Sequence, residues 1–317
     1  MASRANLPYR VSPLALVAPR SKVVYLATPK AACTTIKTML AEAEGTHRAE
    51  MSDRLAIMHV SRAQTIHHPA VHGLRRLVDL PERDQREILA SPEWTHIASV
   101  RDPVSRAYSA WENRIFMRAH RRNPALIQLA ADAINEGRID VVASFSRFTI
   151  ALGENADPFM ADQHFLPQSH LVRKGHHRID TLVHVDRLGE MDALADLITR
   201  RSDTTVAARR LNEGLGIPLQ RVCDQDTANR LMATYAVDYE TFGFDRRVFE
   251  PHLEPLLLGD TEQRLLTAYR NAMERGVSVA RESQRRVGGK YGMKQVRRAV
   301  QRFVRGERGS LDPREIQ

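Results

Sequence analysis

A short loop of small residues between an apolar run and a helix-compatible segment is the feature that most constrains this chain. The β-branched run begins at Val23, and the loop that follows it reads Pro-Lys-Ala-Ala-Cys-Thr-Thr (29–35). A helix start presents unpaired N–H groups and the positive end of the helix dipole. Lys30 adds a positive charge, and Thr34 and Thr35 add hydroxyl donors. The segment therefore predicts a strand, a phosphate-binding loop and a helix.

A second motif has the same layout. The pattern Val-Arg-Asp-Pro-x-x-Arg-x-x-Ser-Ala-Trp (100–111) ends one apolar run and starts a helix-compatible one. Arg101 stands at the predicted end of the strand, where its planar guanidinium can bind a phosphate through two N–H groups. Asp102 and Pro103 suit the cap and first turn of a helix. Ser109 then lies about two turns into that helix, so we expect it within reach of the same anion.

The first loop is not a Walker A motif, which needs two glycines and a following Lys-Ser/Thr pair. It resembles instead the 5′-phosphosulfate loop of sulfotransferases that use PAPS (3′-phosphoadenosine 5′-phosphosulfate). The Ala-Cys-Thr variant followed by Lys37 is most similar to the carbohydrate branch, sulfotransferase family 2. This resemblance implies that Arg101 and Ser109 hold the 3′-phosphate. The implied donor-binding residues are Lys30, Ala32, Cys33, Thr34, Thr35, Arg101 and Ser109.

Later elements extend the resemblance over residues 23–244. The stretch from His164 to Gln168 resembles the family's His-x-x-Pro-Gln element, and residues 235–244 resemble its closing aromatic signature. His164 and Gln168 either line the acceptor pocket or brace the loop that carries them.

The resemblance also implies a mechanism. Charge develops on the bridging oxygen during sulfuryl transfer, so a cation beside it stabilises the transition state, and Lys30 is the natural candidate. Relatives place a histidine, sometimes a glutamate, between the two phosphate motifs as the general base. His68 and His67 are the favoured candidates because they stand in a loop between helical segments. His59 and His72 are the next choices.

Alternating strand and helix patterns predict an α/β fold: a central parallel sheet flanked by helices, in the P-loop-like sulfotransferase arrangement. Both phosphate motifs follow strand ends, where such sheets bind ligands. We expect a sulfotransferase domain (1–250) and a helical extension (251–317). Predicted strands are 23–28, 95–100 and 181–185; predicted helices are 34–44, 104–119, 125–135, 141–152, 191–201, 227–235 and 262–277. Segments 45–94 and 154–180 look irregular and are candidate acceptor-binding loops.

The net charge of +9 is concentrated at the end of the chain. Residues 281–317, the basic tail, hold eleven Lys/Arg and four Asp/Glu. The tail predicts a basic amphipathic helix that packs on the domain, lies on an anionic membrane surface, or guides an acidic or lipid-linked acceptor. The rest of the chain is nearly neutral, so we do not expect nucleic-acid binding.

Composition and spacing bear on the cellular location of the protein and on whether it binds a metal. No apolar run approaches the roughly 20 residues that span a bilayer, and the two cysteines make no disulfide framework. We therefore expect a cytoplasmic, bacterial protein, with contact at the inner membrane surface as a further expectation. The sequence contains no suitably spaced set of metal-ligating residues, so we do not expect a metal site. The expected reaction is sulfuryl transfer from PAPS to a hydroxyl of a carbohydrate or glycolipid; a nucleotide or small-molecule kinase is the alternative.

Overall fold

The computed structural model describes residues 11–56, 62–117, 124–173, 178–209, 211 and 214–287. The strands are β1 (Ala15–Ala18), β2 (Val23–Leu26), β3 (Arg75–Arg76), β4 (Thr95–Val100), β5 (Ala133–Asn135), β6 (Arg138–Asp140) and β7 (Thr181–His184). The α-helices are α1 (Cys33–Ala43), α2 (Ala49–Ala56), α3 (Pro69–His72), α4 (Glu82–Ala90), α5 (Pro103–Trp111), α6 (Pro124–Leu129), α7 (Val141–Glu154), α8 (Asp157–Met160), α9 (Gln168–Arg173), α10 (Glu190–Ser202), α11 (Gln225–Thr234), α12 (Ala236–Phe242) and α13 (Asp260–Val287).

Five strands form the main sheet in the order β3-β1-β2-β4-β7. The three strands β2, β4 and β7 run parallel, with Leu26 opposite Ala98 and Val100 opposite His184. At one edge β1 pairs antiparallel with β2, and β3 pairs antiparallel with β1. The predicted α/β class with central parallel strands is confirmed. The antiparallel edge was not predicted, because the short β1 run carries no signal beyond its apolar composition.

Both faces of the sheet are covered. In β2, Val23 and Tyr25 pack into the cluster that contains residues of α1 and α10. Val24 and Leu26 point to the opposite face and pack with Leu77 and other apolar residues there. Alternate residues of a strand face opposite sides, so a strand buried on both faces must be apolar at every position. This explains why β2 reads as an unbroken apolar run.

A third core lies beside the sheet, where α5, α7 and α11 pack together. Its aromatic centre includes Trp111 of α5 and Phe145 of α7, whose ring centroids are 5.0 Å apart. Tyr235 is buried in the same cluster and donates a hydrogen bond from its hydroxyl to the carbonyl of Phe165 at 2.8 Å. This core fixes α5, which carries the second phosphate motif.

One predicted helix is wrong over part of its length. The prediction of a helix at 125–135 holds only for α6, because β5 and β6 form a hairpin immediately afterwards. The two turn residues, Glu136 (φ 49°) and Gly137 (φ 73°), both have positive φ. Such a two-residue turn matches the twist of paired strands and favours a hairpin. The Glu-Gly pair was the available signal.

Two further predictions differ from the structure. The helix predicted at 104–119 becomes π-helical over Glu112–Phe116, and residues 118–123 lie outside the described residues. The segments 45–94 and 154–180, predicted to be irregular, contain several short helices. These helices are four to nine residues long and bury few side chains: α2 buries only Ser52, and α4 only Gln85 and Ile88. So few buried positions give no periodic sequence pattern.

The last described helix, α13, is attached to the body of the protein. Arg270 donates hydrogen bonds to Asp132 at 2.7 and 3.0 Å and to the carbonyl of Phe116 at 2.9 and 2.6 Å. The proposed domain boundary at residue 250 stays a prediction. Residues 288–317, most of the basic tail, lie outside the described residues. Within the described part of the chain, no helix combines the length and the apolar character needed to cross a membrane.

Candidate active site

Residues 28–35, which comprise the loop after β2 and the first turn of α1, are called the donor loop below. It contains two non-glycine residues with left-handed backbones, Lys30 (φ 67°) and Ala32 (φ 54°). A non-glycine residue in this region costs of the order of 1–3 kcal/mol and persists only where the surroundings enforce it. Here Ser99 of β4 donates a hydrogen bond to the carbonyl of Ala31 at 2.7 Å, and Tyr25 contacts the same hydroxyl at 3.0 Å.

The donor loop ends in an open helix N-terminus. Ala32 is the N-cap residue of α1 and has no capping side-chain bond, and the first turn contains no acidic residue. The intrahelical bond from the Ile36 N–H to the Ala32 carbonyl, 3.0 Å, is the first of the helix. The N–H groups of Cys33, Thr34 and Thr35 therefore precede the helical ladder. Such a turn is suited to binding an anion.

The two threonine hydroxyls of the donor loop have protein partners. Thr35 donates to the carbonyl of Arg209 at 2.9 Å. Thr34 lies 3.1 Å from Nε2 of His67. Thr34 is buried, whereas Thr35 is half-buried. To donate to a phosphate, Thr35 would have to release the carbonyl of Arg209. Thr34 can accept from His67 and still donate through its own O–H.

Lys30 lies in the loop among several charged side chains. Burial lowers its pKa to about 8, an effect that Cys33 opposes and that the positive charges of Arg114 and Arg101 reinforce. Glu112 opposes the shift. At neutral pH the lysine remains mostly charged, and a bound anion would raise its pKa further. The ammonium group of Lys30 is therefore a poorly solvated cation in the donor loop, and such a cation interacts strongly with an anion.

Arg101 stands at the end of β4, as predicted. Its backbone N–H donates to Oε1 of Gln168, and Nε2 of Gln168 donates to its carbonyl, both at 2.8 Å. Its Nε donates to Asp186 at 3.3 Å, and Asp186 also accepts the Asp102 N–H at 2.7 Å. The guanidinium is thus held next to the strand end and stays about one-third exposed.

The expected helix start after Arg101 is confirmed. Asp102 is the N-cap of α5 and accepts a hydrogen bond from the Ser105 N–H at 2.8 Å, and Pro103 is the first helical residue. Ser109 is half-buried six residues later, about 9 Å along the helix axis. The donor loop and Arg101 follow adjacent parallel strands, so both lie at the carboxyl edge of the sheet.

Sequence reasoning did not assign a role to Arg106, which joins three parts of the site. This fully buried arginine donates from Nε to the carbonyl of Pro29 at 3.0 Å. Its NH1 and NH2 groups donate to the carbonyls of Leu166 at 2.8 Å and Gln163 at 3.3 Å. The available signal was an arginine within the apolar helix α5. Arg106 fixes residues 163–166 against the donor loop.

His67, a predicted base candidate, reaches the donor loop. Its Nε2 faces Thr34 at 3.1 Å, and Lys37 lies 3.4 Å from its Nδ1. An ammonium group only donates, so Nδ1 accepts and Nε2 carries the proton. Although His67 is exposed at the surface, desolvation and the charges of Lys37 and Lys30 lower its pKa to about 3. His67 is therefore neutral, and both of its ring nitrogens have partners.

The other histidines of that interval have local structural contacts. Exposed His68 caps α3 by accepting the Ala70 N–H at 3.2 Å. Buried His72 accepts the Leu74 N–H at 2.9 Å. Burial lowers the pKa of His72 to about 4. His59 lies outside the described residues. The assignment of the base to His67 or His68 stays a prediction.

Asp162 and His164 form a close pair on the segment that Arg106 holds. Nδ1 of His164 donates to Asp162 Oδ1 at 2.6 Å, and its backbone N–H donates to the same oxygen at 3.0 Å. Arg114 donates to Asp162 Oδ2 at 2.9 and 2.6 Å. Sequence reasoning had not linked these three residues; Arg114 and Asp162 are 48 positions apart in the chain.

Gln168 has a bracing position. It is fully buried, and besides the two bonds to Arg101 its backbone N–H donates to Asp238 at 2.8 Å. Of the two roles expected for Gln168, this arrangement supports the bracing of the loop and not the lining of an acceptor pocket, because no part of the side chain faces solvent. Among the described residues, no group of three or more His, Cys, Asp or Glu side chains is arranged to hold a metal ion.

Comparison with known proteins identifies the family. A model of the sulfotransferase family matches residues 13–245, which is most of the chain. Searches of curated proteins and of solved structures found no match. The matched segment includes the donor loop, Arg101 and the pair of Asp162 and His164. The chain therefore belongs to the sulfotransferase family and is a PAPS-dependent sulfotransferase.

Proposed function

We propose that this enzyme transfers the sulfuryl group of PAPS to a hydroxyl of a carbohydrate or glycolipid, with PAP (3′,5′-diphosphoadenosine) as the second product. The observation that carries this proposal is the pairing of two anion-binding motifs. The donor loop follows β2 and Arg101 follows β4, and these strands are parallel neighbours in the sheet. A nucleotide with phosphate groups at both its 3′ and 5′ positions matches two such motifs side by side.

The 5′ side of the donor is assigned to the donor loop. The N–H groups from Ala32 to Thr35 and the hydroxyls of Thr34 and Thr35 would hold the 5′-phosphate. The open N-terminus of α1 and its lack of acidic residues support this role. Lys30 would lie beside the bridging oxygen and stabilise the charge that develops there. Its poorly solvated position supports this, since an electrostatic contact is stronger away from water.

The 3′ side of the donor is assigned to Arg101 and Ser109. The guanidinium of Arg101 is partly exposed and is oriented by Asp186. One ion pair leaves several of its N–H groups available, and a phosphate can accept from two of them at once. Ser109 is half-buried on the helix that begins two residues after Arg101. Its hydroxyl would add a neutral hydrogen bond.

The acceptor class comes from the resemblance to carbohydrate sulfotransferases. The segments 45–94 and 154–180 stay the candidate acceptor-binding regions, and His164 on the second segment is 20% exposed at its side chain. A cytoplasmic location is a further part of this proposal and rests on the two cysteines, which make no disulfide framework. Contact of the basic tail with an anionic membrane surface is also proposed; it rests on the charge of the tail and is open to test by tail deletion.

Ligand-dependent unfolding tests the donor assignment. We expect PAP to raise the unfolding temperature strongly, and adenosine 5′-monophosphate, which lacks the 3′-phosphate, to raise it less at the same concentration. A ligand at 100 times its Kd stabilises the fold by about 2.7 kcal/mol. Stabilisation by ATP and Mg²⁺ but not by PAP would instead support the kinase alternative.

Acceptor identity is tested by labelling. Purified enzyme and ³⁵S-labelled PAPS are incubated with polysaccharide, lipopolysaccharide and glycolipid fractions. We expect label in a fraction that loses it after glycosidase or mild acid treatment. Label confined to protein or to small phenols would overturn the carbohydrate assignment while leaving sulfuryl transfer intact. The matched control is Lys30→Ala, which should label no fraction.

A further inference from the structure

We propose that His164, oriented by Asp162, is the general base that removes the proton from the acceptor hydroxyl. The proposal rests on the proposed sulfuryl transfer and deepens it. It differs from the expectation that a histidine between the two phosphate motifs does this work. Three observations carry it: the state of the His164 ring, the position of its segment, and the contacts of the competing histidine.

The state of the ring follows from its contact with Asp162. A carboxylate only accepts, so the 2.6 Å contact assigns the proton to Nδ1 of His164. In the neutral ring, Nε2 then carries a lone pair. Nε2 makes no hydrogen bond to any residue that the structure describes, and the side chain is 20% exposed. A fixed tautomer with a free nitrogen is what a general base needs.

Asp162 is itself held in place. Arg114 binds its second oxygen through two N–H groups, and the His164 N–H binds the first. Burial favours the neutral carboxyl, but these contacts outweigh burial and keep the pKa of Asp162 well below its usual value. The carboxylate therefore stays charged over the working pH range. It would stabilise the imidazolium that forms when Nε2 takes a proton.

The position of the segment is set by Arg106. A single guanidinium binds the carbonyls of Gln163 and Leu166, which flank His164, and also the carbonyl of Pro29, which precedes Lys30. The base and the cation are thus on segments joined by one side chain. Burial lowers the pKa of His164, the bond to Asp162 opposes this, and the charges of Arg114 and Lys30 lower it further, to about 4. The ring is neutral at pH 7.

The competing histidine lacks a free nitrogen. Both ring nitrogens of His67 have partners, Thr34 and Lys37. To act as a base it would have to release Lys37 from Nδ1 or change its tautomer. His67 is better placed to hold Thr34 of the donor loop, and His68 uses Nδ1 to cap α3.

The reaction balances with these residues. The acceptor oxygen forms a bond to sulfur while Nε2 of His164 takes the hydroxyl proton. The bond between sulfur and the bridging phosphate oxygen breaks, and its electron pair leaves with PAP. Lys30 neutralises the charge on that oxygen. His164 then releases its proton to solvent, which restores the neutral ring.

The test compares His164→Ala with the matched variant His67→Ala, in the full chain. Release of ³⁵S-sulfate from PAPS to water, and transfer to methyl α-glucoside, report turnover; calorimetric titration with PAP reports donor binding. We expect His164→Ala to lower kcat by roughly 10²- to 10⁴-fold with the Kd for PAP nearly unchanged. Added imidazole should restore part of the activity of His164→Ala and none of that of His67→Ala.

The opposite results are equally informative. If His164→Ala keeps wild-type turnover, or if imidazole rescues His67→Ala instead, the proposal is overturned while the sulfotransferase assignment stands. If the wild-type enzyme binds PAP and releases no sulfate from PAPS to any acceptor, the proposed function itself fails. Should His164→Ala not fold, His164→Gln replaces it, because its amide can still donate to Asp162 but cannot accept the proton.

A second variant tests the positioning role of Asp162. Asp162→Asn retains the size of the side chain but allows the amide to face Nδ1 and favour the wrong tautomer. We expect kcat to fall with the KM for PAPS nearly constant, and Asp162→Glu to recover part of the loss. An increase in the KM for PAPS with unchanged kcat would assign Asp162 a purely structural role and overturn its part in the proposal.

Discussion

Arg106 donates a hydrogen bond from its Nε to the carbonyl oxygen of Pro29 at 3.0 Å, across from helix α5 to the donor loop. The contact places the helix of the second phosphate motif directly against the loop of the first. Two further bonds from the same guanidinium hold the segment that carries His164. One buried side chain thus connects the parts of the site for which we propose donor binding and proton transfer.

Replacing Arg106 should destabilise the fold. Arg106→Lys keeps the charge, but an ammonium group lacks the planar arrangement of N–H donors with which the guanidinium binds three carbonyl groups. Unsatisfied buried acceptors cost about 1–3 kcal/mol each, so we expect the free energy of unfolding to fall by about 3 kcal/mol. Urea unfolding measures this. The control is the exposed Arg86→Lys, for which we expect a change within about 0.5 kcal/mol. Equal effects at the two sites would contradict the bridging role.

Replacing Arg101 should weaken donor binding selectively. A hydrogen bond to a charged group contributes about 1.5–3 kcal/mol, so Arg101→Ala should raise the Kd for PAP by roughly 10- to 150-fold. Binding of adenosine 5′-monophosphate, which has no 3′-phosphate, should change little. Calorimetric titration of both ligands gives the comparison. If Arg101→Ala bound PAP as tightly as the wild-type enzyme, the 3′-phosphate assignment would be wrong.

Lys30 should give the enzyme an alkaline limit. Its pKa in the free enzyme is lowered to about 8, so the charged form is present below that pH and is lost above it. We therefore expect kcat/KM for PAPS to fall as the pH rises through 8, because this parameter reports on the free enzyme. The arginine of Lys30→Arg does not titrate in this range. The variant should therefore show no fall of kcat/KM near pH 8, even if its activity is lower than that of the wild-type enzyme. If kcat/KM of Lys30→Arg fell with pH in the same way as that of the wild-type enzyme, Lys30 would be excluded as the cause of the alkaline limit.

The backbone of the donor loop predicts a stabilising substitution. Ala32 has a φ of 54°, where glycine has no steric cost. We expect Ala32→Gly to raise the free energy of unfolding by about 0.5–1 kcal/mol, after allowance for the greater entropy of the unfolded glycine chain. Ala31→Gly is the control: its φ is not in the left-handed region and its buried methyl is lost, so it should destabilise. Thermal unfolding distinguishes the two signs.

Several features of the site could be predicted from sequence because they depend on neighbours in the chain. The apolar run of β2, the donor loop and the start of α1 are one continuous segment, and the capping role of Asp102 follows from its place before Pro103. Elements with weak local signals were missed. The hairpin of β5 and β6 and the antiparallel strand β1 are short, and their stability depends on pairing and packing with residues elsewhere in the chain.

By itself the sequence determined the α/β class, the two phosphate motifs and their order, since period, capping and loop composition are local properties. Only the tertiary structure decided which side chains meet. The contacts of Arg106 with Pro29 and Gln163, and the pairing of Arg114 with Asp162 beside His164, join residues 48 to 77 positions apart. Such contacts depend on how helices pack on the sheet, and packing has no signature in the spacing of residues along the chain.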